Sequence, residues 1–153
     1  MIKAAIVDDD LEFLEMMSGE LEKTQLFGEI KTYNDPQKLI ATLGQIASDV
    51  LFLDIEMPGI RGLDLAHQLH AINERIAVVF VTGYKQYALD AFNEDAYGYI
   101  LKPFDREILL DKIHLVAEER IRTKTVSVVR EKPAEAYLNH INKGDYLRQN
   151  LED

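Results

Sequence analysis

Asp8-Asp9-Asp10, a solitary Asp54, Thr82 and Lys102 each stand directly after a short apolar run: Ile6-Val7, Leu51-Phe52-Leu53, Val79-Phe80-Val81 and Tyr99-Ile100-Leu101. Adjacent carboxylates are a hard-cation signal, because magnesium takes oxygen ligands and commonly binds through one or two carboxylates plus a phosphate. Asp8 and Asp9 are read as such ligands, whereas Asp10 sits where the cap of a following helix belongs. Asp54, alone at a strand end, is a metal ligand, a nucleophile or both. A nearby cation keeps a carboxylate ionised, and carboxylate nucleophiles form acyl phosphates. Lys102 offers an ammonium to a phosphoryl oxygen, and Thr82 a hydroxyl. Taken singly, Thr82 is unremarked among β-branched residues at strand ends, and a lone lysine is ordinarily solvated. The combination is what points to phosphoryl chemistry.

Such residues meet only if the runs are neighbouring strands with aligned carboxyl ends. Apolar runs of this length, each followed by a helical pattern, read as strands buried on both faces of a parallel sheet. Ligands of open α/β sheets bind outside the carboxyl ends of the strands. Five strand–helix units are expected, with strands at Ala4–Val7, Glu29–Tyr33, Val50–Leu53, Ala77–Val81 and Tyr97–Leu101; the second is more polar and suits an edge. Helical stripes follow at Leu11, Leu14, Met17 and Leu21, and at Tyr84, Tyr87, Ala88, Ala91 and Phe92. Asp35 with Pro36 starts another helix, and a helix runs from about Gly62 to Ile72. Asp105 caps the last, whose stripe is Ile108, Leu109, the stem of Lys112, Ile113, Val116 and Ile121. The expected fold is α/β: a doubly wound five-stranded parallel sheet, flavodoxin-like, strand order 2-1-3-4-5, with a C-terminal extension. Thr125–Val129 reads as a sixth short strand or a linker, and Ala134–Ile141 and Asp145–Leu151 as weakly helical.

The chain has 153 residues, 47% hydrophobic and 29% charged, and no cysteine, which excludes disulfides and thiolate chemistry. No apolar stretch approaches the roughly 20 residues that span a bilayer, and the start shows no signal-peptide pattern. A cytoplasmic location without membrane association is expected. Residues 1–120 hold 11 Lys and Arg against 22 Asp and Glu, whereas residues 121–153 hold 6 against 5. So acidic a body repels phosphate backbones, and no direct nucleic-acid binding by this segment is expected.

The acidic pair Asp8/Asp9, the run from Asp54 through Met57-Pro58-Gly59, Thr82 and Lys102-Pro103-Phe104 resemble, in order and spacing, the receiver domain of two-component response regulators. The resemblance covers residues 2 to about 120. It implies that Asp54 accepts a phosphoryl group from a sensor histidine kinase. It also implies that Asp9, Asp54 and the main-chain carbonyl of Glu56 bind Mg2+ (or Mn2+), with Asp8 helping through water. By the same resemblance Thr82 and Lys102 contact the phosphoryl oxygens, Tyr99 is an aromatic switch residue, and Pro103 follows a cis peptide bond. The stretch from Val81 to Phe104 is most similar to the LytTR-type subgroup. A receiver unit over 1–122 and a linker or partly helical tail over 123–153 are expected, with homodimerisation on phosphorylation and control of an output such as transcription. Gly83 departs from the Ala or Ser usual in the family, and residues 125–153 resemble no output domain.

Two rivals stand beside this. A metal-dependent phosphatase with an aspartyl phosphate would use a second carboxylate two residues after its nucleophile, where Glu56 stands, but no cap insertion is visible. A receiver that is never phosphorylated would serve as a docking module. His67, His70, His114 and His140 lack ligand spacing, and no G-x-G-x-x-G loop is present. The chain is read as a phosphorylated switch, not a classical enzyme.

Overall fold

The computed structural model describes residues 1–42 and 48–125, with side chains to Thr123. Four apolar runs and one more polar stretch form the strands β1 (Ile2–Val7), β2 (Phe27–Tyr33, the polar one), β3 (Val50–Leu53), β4 (Ala77–Thr82) and β5 (Gly98–Leu101). All pair in parallel in the order β2-β1-β3-β4-β5, as the sequence leads one to expect. Between them lie α1 (Leu11–Thr24), α2 (Pro36–Ile40), α3 (Gly62–Ile72), α4 (Ala88–Asn93) and, after β5, α5 (Arg106–Thr125). β1 and β2 start two residues earlier than expected, where Ile2 pairs with Phe27, and β4 runs one residue further, where Thr82 pairs with Leu101.

Alternation along the strands divides the core in two. Ala4 and Ile6, Val50 and Phe52, and Val79 and Val81 pack with Phe13, Leu14, Met17 and Leu21 of α1 and Leu109, Ile113, Val116 and Ala117 of α5. The alternate residues Ala5, Val7, Leu51, Leu53, Val78 and Phe80 meet Leu39 of α2, Leu65, Ala66 and Leu69 of α3, and Ala88 and Ala91 of α4. β4 is buried along its whole length, whereas edge strand β2 exposes Glu29, which pairs with Lys3 and Lys31 at 3.7 and 3.4 Å. Among the described residues no helix is long and apolar enough to cross a membrane.

Local signals set several boundaries. Asp10 caps α1 by accepting from the main-chain N–H groups of Glu12 and Phe13, and Asp35 caps α2 ahead of Pro36. Leu109 N–H donates to the Asp105 carbonyl at 3.0 Å, which puts Asp105 at the start of α5. Three expectations fail. Leu11, Ile108 and Ile121 are exposed, so they are not core stripe: the buried face of α5 is set by Leu109, Ile113, Val116 and Ala117, and Ile108 lies off it. The helix expected from Tyr84 instead begins as a 3-10 turn, Lys85–Tyr87, with Tyr84 outside it and exposed. The Tyr84 carbonyl, which an α-helical Ala88 N–H would need, accepts the Tyr99 hydroxyl, and Ala88 N–H bonds to the Lys85 carbonyl instead. Finally Thr125 ends α5 and is not the start of a strand; the expectations for residues 126–153 and His140 lie outside the described residues.

At the amino ends of the strands Asp49 is buried. Its carboxylate accepts from Lys3 N–H at 2.8 Å and lies 3.7 Å from the Arg120 guanidinium, whose Nε donates to the Asp49 carbonyl at 3.3 Å. This joins β1, β3 and α5 on the side opposite the expected site.

Candidate phosphoacceptor site

Register brings the chemistry together. Val7 pairs with Leu53, so Asp8 and Asp54 leave the sheet side by side, while Thr82 closes β4 paired with Leu101, the residue before Lys102. The ladder runs one residue further, with Asp54 N–H donating to the Val7 carbonyl at 3.1 Å, Asp8 N–H to Tyr33 at 3.1 Å, and Lys102 N–H to Thr82 at 2.8 Å. Carboxylate oxygens of Asp8, Asp9 and Asp54 lie within 4.8 Å of one another, an all-oxygen donor set of the kind a hard divalent cation takes. Asp10 belongs to the helix cap and not to this cluster.

Lys102 sits against both buried carboxylates. Its Nζ donates to Asp8 Oδ2 at 2.6 Å and lies 3.9 Å from Asp54 Oδ2, with the Phe13 ring centroid 4.1 Å away. Asp8 Oδ1 accepts from Asp10 N–H at 2.9 Å and Asp54 Oδ1 from Ile55 N–H at 2.8 Å. Thr82 is fully buried, and its Oγ1 accepts from Tyr84 N–H at 3.4 Å. The Lys102-Pro103 peptide is cis.

Burial pushes the Asp54 carboxyl up to about 6; the Lys102 ammonium opposes this, Asp8 adds to it, and the Ile55 N–H and Thr82 hydroxyl favour the charged form. Burial also raises Asp8, against Lys102 and the Asp10 N–H. The folded protein thus holds a proton on Asp54 that the unfolded chain releases, and stability falls as pH rises from about 4 through about 6. Without metal, Asp54→Asn is expected to be more stable than the parent by about 2–3 kcal/mol above pH 7, an advantage that vanishes near pH 4. Urea unfolding at the two pH values checks this, and an equal difference at both would contradict it.

Tyr99 on β5 is buried, with its hydroxyl donating to the Tyr84 main-chain oxygen and its ring 6.5 Å from Phe80. Burial raises its pKa, so the phenol stays protonated. The residue proposed as a switch therefore already lies inward.

Several contributors escape sequence reading. Gly62 opens α3 where a Cβ would stand 2.0 Å from the Asp54 carbonyl oxygen, so only glycine lets the helix approach the strand end. Glu56 Oε1 accepts the Tyr87 hydroxyl at 2.6 Å, which raises the Tyr87 pKa. Arg106 pairs with Glu20 of α1 at 2.9 Å and holds that carboxyl below its usual range, so it is not a free charge on the α4–α5 face. His67 meets Glu94 at 3.2 Å, an exposed pair away from the site. At Gly83 a Cβ would touch nothing within 4 Å, so the space there does not demand glycine.

A 2-1-3-4-5 parallel sheet with three carboxylates, a threonine and a lysine gathered at its carboxyl ends defines a doubly wound α/β protein with a charged cluster where such sheets bind ligands. The chain belongs to the response regulator receiver domain family, whose model matches residues 4–114. Among curated relatives, the sensory transduction protein LytT of Bacillus cereus is 36% identical over 130 residues, 81% of this chain and 52% of that protein. The transcriptional regulatory protein BtsR of Escherichia coli is 35% identical over 134 residues, 86% of this chain and 54% of that protein. The chain spans about half the length of the curated relatives it matches. Among solved structures, the BeF3-activated DrrB receiver domain is 28% identical with a TM-score of 0.68, covering 77% of this chain and 98% of that one. TrrA from Thermotoga maritima, solved in complex with Mg(2+)-BeF, is 27% identical with a TM-score of 0.65, covering 76% and 99%.

Proposed function

We propose that Asp54 is the phosphoacceptor, receiving its phosphoryl group from a sensor histidine kinase. The observation that carries this is the meeting of Asp8, Asp9, Asp54, Thr82 and Lys102 at adjacent strand ends. An Asp54 carboxylate oxygen attacks phosphorus while the bond to the donor nitrogen or oxygen breaks, so positioning and charge neutralisation matter more than acid–base chemistry. Lys102 exchanges its contact with Asp8 for a phosphoryl oxygen, and the Thr82 hydroxyl donates to another. Asp9, Asp54 and the main-chain carbonyl of Glu56, with Asp8 acting through water, would hold magnesium, or manganese in its place, which neutralises developing charge when bound. Drawing Thr82 toward the phosphoryl group acts on Tyr84, which Tyr99 holds by its carbonyl, so the α4–β5–α5 face is biased by one phosphate.

That face exposes Tyr84, Leu89 and Ile108, which supports self-association of the phosphorylated form as a two-fold dimer. Residues 1–122 serve as the phosphoacceptor unit and 123–153 as linker or tail, with α5 crossing that boundary to Thr125. We place the protein in the cytoplasm, where it acts on an output such as transcription without itself binding nucleic acid and without membrane association. It acts as a switch rather than as a classical enzyme, its chemistry limited to gaining and losing phosphate at Asp54.

Beryllofluoride tests the site without a kinase. The parent should bind it only with magnesium, and sediment as a dimer when it does. Asp9→Ala should weaken magnesium binding by at least about tenfold, since loss of even an outer-shell partner costs that much, and Asp10→Ala hardly at all. Binding that survives Asp54→Ala, or the reverse ranking of Asp9 and Asp10, would overturn the site assignment, and an unchanged monomer would remove the dimer.

A further inference from the structure

Glu56 is expected to serve a cation through its main-chain carbonyl, which leaves its side chain free for another task. That side chain is held from two directions. The Tyr87 hydroxyl donates to Glu56 Oε1 at 2.6 Å, and Arg61 Nη2 lies 3.8 Å from the same oxygen. The Arg61 guanidinium carbon in turn stands 4.8 Å from the Tyr87 ring centroid, so one cation meets both partners of the hydrogen bond. The Tyr84 ring closes on Tyr87 edge-on, with centroids 5.9 Å apart and planes at 65°.

The two ends of this group belong to different segments of the chain. Glu56 and Arg61 lie on the loop between Asp54 and α3, which is fastened where Gly62 N–H donates to the Ile55 carbonyl at 2.7 Å. Tyr87 ends the 3-10 turn that follows Thr82. The segment 84–87 is thus tied at its start by the Tyr99 hydroxyl on the Tyr84 carbonyl, and at its end by Tyr87 on Glu56. The first tie leads to β5 and the second to the loop of the cation site.

We propose that Tyr87 is a positioning residue whose hydroxyl, braced by Arg61, couples the Glu56 loop to the segment after Thr82, so that occupancy of the cation site steadies that segment. The proposal rests on the assignment of Glu56 to that site. Coupling of this kind is reciprocal: whatever the cation gives the 84–88 segment, the clasp returns as cation affinity. Tyr87→Phe removes one oxygen and keeps the ring beneath Arg61, so the stacking survives and only the tie is cut.

Magnesium titration and amide hydrogen exchange on the intact chain read both directions without any phosphodonor. In the parent, magnesium is expected to slow exchange in residues 84–88, including the Ala88 amide that bonds to the Lys85 carbonyl. Tyr87→Phe should lose that protection while the β4 amides stay as slow as in the parent, and should bind magnesium roughly threefold to tenfold more weakly, the range for one lost hydrogen bond. Glu56→Ala should produce the same two losses, and the double variant should lose no more than either single one, because both cut one interaction. If the parent binds magnesium and Tyr87→Phe keeps its affinity and its protection at 84–88, the clasp is overturned and the site assignment stands. Additive losses in the double variant overturn the clasp equally. A parent that binds no magnesium overturns the site assignment and the clasp with it.

Discussion

Gly62→Ala is expected to destabilise the protein by about 3 kcal/mol, at the upper end of overpacking in a close-packed interior. Helix propensity alone argues the other way, since alanine is favoured over glycine by about 1 kcal/mol inside a helix. Geometry decides the sign. The added Cβ would lie 2.0 Å from the Asp54 carbonyl oxygen and 2.9 Å from both the Asp54 carbonyl carbon and the Ile55 Cα. All three are backbone atoms, so no flexible side chain can yield, and relief has to come from moving α3 or the end of β3. Either movement displaces Asp54 as well. Urea unfolding should therefore show the lower midpoint together with weaker magnesium binding. A variant as stable as the parent would mean that the approach of α3 to β3 is looser than described.

Lys102→Met is expected to slow phosphoryl uptake from a small donor about a hundredfold, the usual loss when one preorganised partner of developing charge is removed. Methionine keeps the length and apolar contacts of the stem, including those near Phe13, so the change tests charge rather than packing. The ammonium lies 2.6 Å from Asp8 and 3.9 Å from Asp54, within reach of both carboxylates. Rates of mass gain in parent and variant decide it. A variant within about threefold of the parent, less than 1 kcal/mol in barrier, would show that Lys102 is not a transition-state partner.

Much of the site was legible in the sequence because strand ends are legible. Apolar runs locate β1, β3, β4 and β5, and the polar residue that ends each run falls on one edge of a parallel sheet. Asp10 could be separated from Asp8 and Asp9 because capping is a local pattern, and the cap bonds to Glu12 and Phe13 are present. What escaped depends on partners far apart in the chain. Tyr87 and Glu56 are 31 residues apart, Arg120 and Asp49 are 71, and Arg106 and Glu20 are 86. Periodicity carries no trace of such pairs. It also misplaced the start of α4, since the Tyr84 carbonyl is taken by a tyrosine of another strand. Gly62 was recognised as a helix start, but its near contact with Asp54 exists only once α3 is docked.

The phosphatase alternative required Glu56 as an acid–base group. Its carboxylate is instead tied to Tyr87 and lies beside Arg61, a structural engagement that suits a switch better than proton transfer to a leaving group.

Intact mass after incubation with acetyl phosphate and magnesium, followed by borohydride reduction and peptide mapping, tests the central claim most directly. The expected result is one added phosphoryl group, confined to the peptide that carries Asp54, absent without magnesium and absent in Asp54→Ala. An unchanged mass of the parent under these conditions, or equal labelling of Asp54→Ala, would contradict it.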